Sequence, residues 1–194
     1  EGGAVVVPPG QRKGQNTRLA GEDLARGAVA LPAGKRIGPA ELGLIASLGV
    51  AEVEVRRRLR VAFFSTGDEL ASIGKPLAPG QVYDSNRYTL HGLLTRLGAE
   101  IIDMGVVPDR PEALEATLAE AAQVADAIIT TGGVSVGEAD FVREILGKLG
   151  EVRFWKLNIK PGRPMAFGKV GNAWLFGLPG NPVAVTVSYT QFAL

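Results

Sequence analysis

From Leu59 onward, short apolar runs of strand length alternate with amphipathic helical patterns. The apolar runs predict strands at Val61–Phe64, Ile101–Val107, Ala127–Thr131, Val152–Leu157, Met165–Val170 and Ala173–Phe176. The helical patterns run from Ser85 to Leu97 and begin again at Asp109, Asp140 and Asn181. Strands connected through helices pair mostly in parallel. The alternation therefore predicts an α/β fold with a mostly parallel sheet flanked by helices.

The segment before Leu59 has a different pattern. Residues 1–27 hold the β-prone run Ala4–Val7 and many turn residues, which predicts the end of a β-rich module. Residues 28–58 predict a small linker domain, and residues 59–194 the α/β domain. The linker domain is expected to contain a strand at Val29–Leu31, a helix at Pro39–Leu48 and a strand at Val50–Val55. Because the chain starts without Met and stops inside a predicted helix, we expect truncation at both ends.

Composition excludes several classes of site. The 21 basic and 20 acidic side chains give a net charge of +1, which offers no general attraction to nucleic acid or an anionic membrane. The sequence has no cysteine and one histidine, so thiolate nucleophiles, cysteine-ligated zinc and multi-histidine metal sites are excluded. A bound metal would need oxygen ligands, which favours a hard cation such as Mg²⁺.

Glycines, hydroxyls and carboxylates follow the predicted strands at their ends. These segments are Thr66–Glu69, Pro108–Asp109, Thr130–Asp140 and Gly177–Pro182. In open parallel sheets, ligands bind outside the carboxyl ends of the strands. The four segments together predict a binding site at one edge of the sheet.

The glycine loop after the third strand indicates an anion site. Gly132, Gly133 and Gly137 allow backbone N–H groups to face a phosphate, and Ser135 adds a hydroxyl donor. The alternative is a tight strand-to-helix turn, which we consider the weaker explanation for a loop of this length.

Three acids are candidate Mg²⁺ ligands: Glu69, Asp109 and Asp140. Asp109 and Asp140 also stand where a helix N-cap is expected, and Glu112 completes a capping-box pattern with Asp109. Capping and metal binding are about equally good explanations for these two residues. Glu69 is not explained by capping.

Lys156, Lys160 and Arg163 surround the turn Pro161-Gly162 and suit a phosphate or another oxyanion. From spacing alone, surface lysines beside a turn are the simpler explanation. Asn86 and Arg87 could contact a ligand from the start of their helix, but solvent exposure is the simpler explanation. His91 is expected to be a partly buried structural residue.

Four segments in this order resemble motifs of the molybdopterin molybdenumtransferase family: Phe64–Leu70, Gly132–Asp140, Lys156–Pro164 and Gly177–Pro182. The upstream stretches Gly14–Arg18 and Gly21–Asp23 fit as well. Bacterial members are called MoeA, and the second half of eukaryotic gephyrin is similar. The resemblance implies a Mog-like, molybdopterin-binding α/β domain.

The resemblance also implies an activity and roles for residues. The expected reaction inserts molybdenum from molybdate into adenylylated molybdopterin with Mg²⁺, and gives molybdenum cofactor and AMP. Glu69, Asp109 and Asp140 match acidic active-site positions, and Lys156 and Lys160 match positions for the oxyanion. The candidate substrate-binding residues are Thr66, Gly67, Gly132, Gly133, Ser135, Gly137, Lys156, Lys160, Arg163, Pro179, Gly180 and Pro182.

By the same resemblance, Asp23 matches an acid that reaches the active site of the partner in a homodimer. A contact with a molybdopterin adenylyltransferase and a cytoplasmic location are also implied. Two alternatives stay open: an adenylyltransferase-like enzyme, which consists of the sheet domain alone, and a non-catalytic gephyrin-like scaffold. The segment before the sheet domain, with its Gly21-Glu22-Asp23, favours the molybdenumtransferase over the adenylyltransferase.

Overall fold

A computed structural model of the chain describes residues 2–133, 145 and 147–194. The chain divides into two compact units, Glu1–Val55 and Arg56–Leu194. The first unit contains helix α1 (Pro39–Ser47), which was predicted from its proline start. The further division of the first unit at residue 27 stays a prediction.

The two strands predicted for the first unit, Val29–Leu31 and Val50–Val55, are wrong, because neither segment has strand structure. The β-prone run Ala4–Val7 has none either. The side chains of Val5, Val29 and Val55 are 88%, 76% and 69% exposed. An alternating or β-branched pattern becomes a strand only where a neighbouring strand supplies backbone hydrogen bonds, and these segments have no such neighbour among the described residues.

The second unit carries the predicted alternation of strands and helices. Its strands, in chain order, are β1 (Arg60–Thr66), β2 (Leu70–Ala71), β3 (Val82–Tyr83), β4 (Glu100–Val107), β5 (Ala127–Thr131), β6 (Gly150–Lys156), β7 (Pro164–Val170) and β8 (Ala173–Leu178). Its helices are α2 (Ser85–Leu97), α3 (Pro111–Val124) and α4 (Pro182–Ser188), and a π-helical turn (Tyr189–Ala193) follows α4. The helix predicted from Asp140 lies largely outside the described residues.

Six strands form one sheet in the order β4-β1-β5-β8-β7-β6. The strands β4, β1, β5 and β8 are parallel, whereas β7 is antiparallel to both β8 and β6. The carboxyl ends of β1, β5 and β8 therefore lie at one edge. Because β7 runs the other way, the turn from β6 to β7 returns to that same edge. This topology confirms the α/β, mostly parallel fold and positions four loops together.

Strand β1 is buried on both faces, which explains its continuous apolar run. Ala62 and Phe64 pack with Leu114 and Leu118 of α3 on one side of the sheet. Val61 and Phe63 pack on the other side, in a cluster whose further members are Leu90, Leu94, Ala127, Ile129, Leu178, Val185 and Tyr189. The sheet is therefore covered by helices on both faces.

Helix α2 has the bounds that its sequence predicts. The Asp84 side chain caps it by accepting a hydrogen bond from the Arg87 N–H at 3.1 Å. Gly98 ends it in the left-handed conformation, with φ of 80°. His91, expected to be partly buried, is exposed on this helix. Among the described residues, no helix is long and apolar enough to span a bilayer.

Candidate functional site

A cavity of about 610 Å³ lies where the loops after β1, β5 and β8 meet the turn between β6 and β7. Glycines, prolines and a few charged or polar side chains line it: Thr66, Gly67, Glu69, Gly132, Gly133, Lys160, Pro161, Gly162, Arg163, Pro164, Pro179, Gly180, Asn181 and Ala184. Residues expected at one edge of the sheet from their strand-end positions are thus gathered around one space. Their roles stay predictions.

The glycine turn after β5 packs directly against β1. Gly132 has a φ of 84°, and a Cβ at this position would lie 2.4 Å from the Thr66 carbonyl oxygen. Its own N–H donates to the Leu178 carbonyl oxygen at 3.2 Å. The Gly132 amide is therefore used by the fold, whereas the sequence suggested that it faces an anion. Glycine is required here for close approach and for the left-handed backbone.

Glu69 supplies a carboxylate to the cavity. Its two carboxylate oxygens lie 2.6 and 2.7 Å from the position that a Cβ on Gly67 would occupy. Gly67 has a φ of 151°, so the lack of a side chain there lets the Glu69 carboxylate fold back over the loop. This places an acid beside the end of β1.

Asp109 does not cap a helix, and the predicted capping box is wrong. Helix α3 begins at Pro111, with Arg110 as its N-cap and no side-chain cap. The residue before a proline is driven into extended conformation, which moves the helix start past Asp109. Asp109 Oδ1 instead accepts from Thr66 Oγ1 at 3.4 Å, and its N–H donates to Asp68 Oδ1 at 3.2 Å. The Asp109 carboxylate is therefore tied to the end of β1.

Two of the three predicted cations line the cavity. Lys160 and Arg163 lie in the β6–β7 turn, and both are exposed. Lys156 is the last residue of β6, paired with Pro164, and is absent from the lining. Among the described lining residues, two cations face one carboxylate, Glu69. This charge balance favours an anionic ligand.

The loop after β8 forms another wall. Pro179 is buried and lines the cavity together with Gly180 and Asn181. The Asn181 side chain also caps α4, because its Oδ1 accepts from the N–H groups of Val183 and Ala184 at 3.0 and 3.2 Å. Pro182 is the first residue of α4, is exposed and does not belong to the described lining.

Three predicted site residues, Ser135, Gly137 and Asp140, lie outside the described residues, so their place stays a prediction. Asp23 belongs to the first unit, where it forms an ion pair with Arg18.

Sequence reasoning missed Asn86. It was assigned to solvent, yet it is only 6% exposed, and its Nδ2 donates to the Gly180 carbonyl oxygen at 2.7 Å. No local pattern reveals this contact, since the two residues are 94 positions apart.

A larger cavity, of about 750 Å³, lies at the other ends of the strands. Leu59, Val61, Ala127 and Trp174 are among the residues that line it. Its lining includes the charged residues Arg56, Arg57 and Asp126 but none of the candidate site residues named from the sequence. The smaller cavity is therefore the candidate site, because those candidate residues and the glycine turns converge there.

Both units of the chain match known proteins. Residues 62–194 match a family model described as "Probable molybdopterin binding domain", and residues 3–49 match the MoeA N-terminal region, domains I and II. A molybdopterin molybdenumtransferase from Haemophilus influenzae is 50% identical over 98% of this chain and 47% of its own length. One from a Nostoc species is 40% identical over 99% of this chain and 45% of its own length.

Among solved structures, a molybdopterin biosynthesis MoeA protein from Pyrococcus horikoshii superposes with a TM-score of 0.77 at 34% identity. That match covers 90% of this chain and 43% of the other. The chain thus spans about half the length of the relatives it matches.

Proposed function

This chain belongs to the molybdopterin-binding domain family, and from that premise we propose that it inserts molybdenum into adenylylated molybdopterin, which releases AMP and forms molybdenum cofactor. The observation that carries the proposal is the cavity that Glu69, Lys160 and Arg163 line together with the glycine turn after β5. The names of the relatives, molybdopterin molybdenumtransferases up to 50% identical, support it. The match of residues 3–49 to the MoeA N-terminal region favours it over an adenylyltransferase.

The charges of the cavity suit this reaction. A phosphoanhydride and a molybdate dianion bring several negative charges into one space. Lys160 and Arg163 would offset that charge, and more so as negative charge develops on the departing phosphate of AMP. Arg163 can hold an oxyanion through two parallel hydrogen bonds, whereas Lys160 acts as a point charge.

The chemistry needs no protein nucleophile, which suits a chain without cysteine. The two dithiolene sulfurs of the substrate would become ligands of the molybdenum, and one molybdate oxygen would leave as water with the two thiol protons. One water molecule would be consumed in cleaving the phosphoanhydride, which gives the free pterin phosphate and AMP. The chain's task would be to hold the two substrates close together and in the right orientation.

Mg²⁺ is the cation that the carboxylates would hold. Glu69 lines the cavity, and Asp109 is bonded to Thr66 at the same strand end. Among the described residues, no cluster of three or more His, Cys, Asp or Glu side chains suits a metal. Mg²⁺ commonly binds one or two carboxylates plus substrate phosphate oxygens, so two acids are sufficient. The cation would neutralise phosphate charge, and Asp140 stays a further predicted ligand.

The proposal extends to a homodimer in which Asp23 reaches the partner's active site. Two inactive proteins, Asp23→Asn and Glu69→Gln, would then regain activity when mixed, since one site of each mixed dimer carries both acids. A mixture as inactive as its components would contradict the shared site. A cytoplasmic location and transfer of the pterin nucleotide from a molybdopterin adenylyltransferase are parts of the same proposal.

Titration of the chain with adenylylated molybdopterin, with and without Mg²⁺, tests the function. We expect tight binding that Mg²⁺ strengthens, followed by AMP release when molybdate is added. If the chain instead binds ATP and free molybdopterin, it is an adenylyltransferase-like enzyme. Binding of none of these ligands would assign a scaffold role and overturn the proposal.

A further inference from the structure

Asn86 connects helix α2 to the wall of the candidate site. Its side-chain nitrogen donates to the Gly180 carbonyl oxygen at 2.7 Å, and Gly180 lines the cavity. A carbonyl oxygen can only accept, so the atom that faces it must be the amide nitrogen. The bond is shielded from water, because Asn86 is 6% exposed. The side chain therefore holds the loop at a defined distance from α2.

Gly180 in turn lies close to the glycine turn after β5. A Cβ on Gly180 would lie 3.8 Å from the Gly132 Cα, and Gly132 packs against the Thr66 carbonyl oxygen. Segments of three loops around the cavity are thus near neighbours, and Asn86 holds one of them from the side of α2.

The start of α2 is also left with unpaired acceptors. Asn86 Oδ1 and Asp84 Oδ2 are buried and have no hydrogen-bond partner among the described residues. Buried polar groups in native structures are nearly always paired, so an unpaired acceptor needs an explanation beyond the stability of the fold.

We propose that Asn86 is a positioning residue for the pterin nucleotide. By holding the Gly180 carbonyl, it sets the place of the Pro179–Gly180 wall against which that ligand lies. The inference rests on the proposed function and deepens it. The Lys160–Arg163 turn is a separate segment, so molybdate binding there does not depend on Asn86.

Two variants test this role. Asn86→Leu keeps much of the side-chain volume and removes the donor without burying a charge, whereas Asn86→Ala removes donor and volume together. His91→Gln, an exposed change on the same helix, is the matched control. Binding of adenylylated molybdopterin and of molybdate is measured separately by calorimetry, well below each protein's melting temperature.

We expect both Asn86 variants to bind adenylylated molybdopterin about tenfold more weakly than the parent. A loss of affinity of this size corresponds to the loss of one hydrogen bond. Molybdate affinity should stay within about twofold of the parent, and His91→Gln should match the parent for both ligands. Unchanged nucleotide affinity in both variants overturns the positioning role, as does an equal loss for both ligands. Failure of the proposed function differs from these outcomes, because the parent chain would then bind neither ligand, and both inferences would fall.

Discussion

The carbonyl oxygen of Thr66 lies 2.4 Å from the place that a Cβ on Gly132 would occupy. Thr66 ends β1 and Gly132 follows β5, so this approach is where two neighbouring strand ends close around the cavity. A Cβ atom cannot be accommodated at that distance without movement of the backbone. The contact makes Gly132 a structural requirement of the site.

Gly132→Ala should therefore destabilise the protein and weaken ligand binding. The left-handed backbone and the clash together should cost about 3 kcal/mol or more. Gly80→Ala is the matched control, since Gly80 has a similar φ of 85° and nothing within 4 Å of the added Cβ. The control should cost about 1 kcal/mol. Urea unfolding measures the free energy of unfolding of both variants. Equal losses of stability in the two would show that the clash with Thr66 contributes nothing.

Lys160→Gln should reduce oxyanion affinity, whereas Lys156→Gln should not. Lys160 lines the cavity, while Lys156 ends β6 outside the described lining. Loss of a charge-assisted hydrogen bond should weaken molybdate binding about tenfold or more. Lys156→Gln removes the same charge and should change affinity less than about threefold, because an exposed, more distant charge is screened. Calorimetric titration with molybdate measures the affinity of each variant. Equal losses of affinity would show that Lys156 contributes to the oxyanion site as much as Lys160 does.

Asn181 should show separate effects on stability and on binding. Asn181→Ala removes the cap of α4 and should cost about 1 kcal/mol in urea unfolding. Asn181→Asp keeps a capping oxygen, so its stability should match that of the parent. The same variant places a negative charge on the cavity wall and should weaken binding of the anionic pterin nucleotide. Parent-like affinity in Asn181→Asp would mean that this wall does not contact the ligand's phosphates.

Asp126 should make the stability of the second unit depend on acid pH. The Arg57 guanidinium, through two hydrogen bonds, and the Arg60 N–H hold the pKa of Asp126 well below its usual range. Because the pKa of Asp126 is lower in the folded protein than in the unfolded chain, its ionised carboxylate stabilises the fold above the unfolded-state pKa of about 3.9. This stabilisation is lost progressively as the pH falls from that value toward the folded-state pKa.

Asp126→Asn should accordingly lower the melting temperature at pH 7, and its difference from the parent should shrink below about pH 4. Glu120→Gln, at an exposed position on α3, serves as control and should show little change at either pH. Thermal unfolding at a series of pH values provides the measurement. A difference between Asp126→Asn and the parent that stays constant down to pH 2 would show that protonation of this carboxylate does not matter.

Local signals were sufficient to predict most of the longer helices and strands of the second unit. Helix α2 was predicted from its apolar stripe and from Gly98, and the structure gives it the same bounds. Strands β1 and β5 were predicted from unbroken apolar runs, because a strand buried on both faces needs them. The start of α3 is also signalled locally, by Pro111, whereas the capping pattern predicted a start at Asp109.

The sequence by itself determined the α/β class and the edge of the sheet where the loops converge. It did so because hydrophobic periodicity, helix caps and the order of strands and helices can be read from residues that are close in the sequence. Tertiary structure alone decided that Lys160 rather than Lys156 faces the cavity, since that depends on where the β6–β7 turn runs. It also decided that Asn86 is buried against Gly180 and that the valines before Leu59 form no strands. Such outcomes depend on groups distant in the chain, and pairing with distant groups is what gives a polar side chain or an extended segment its place.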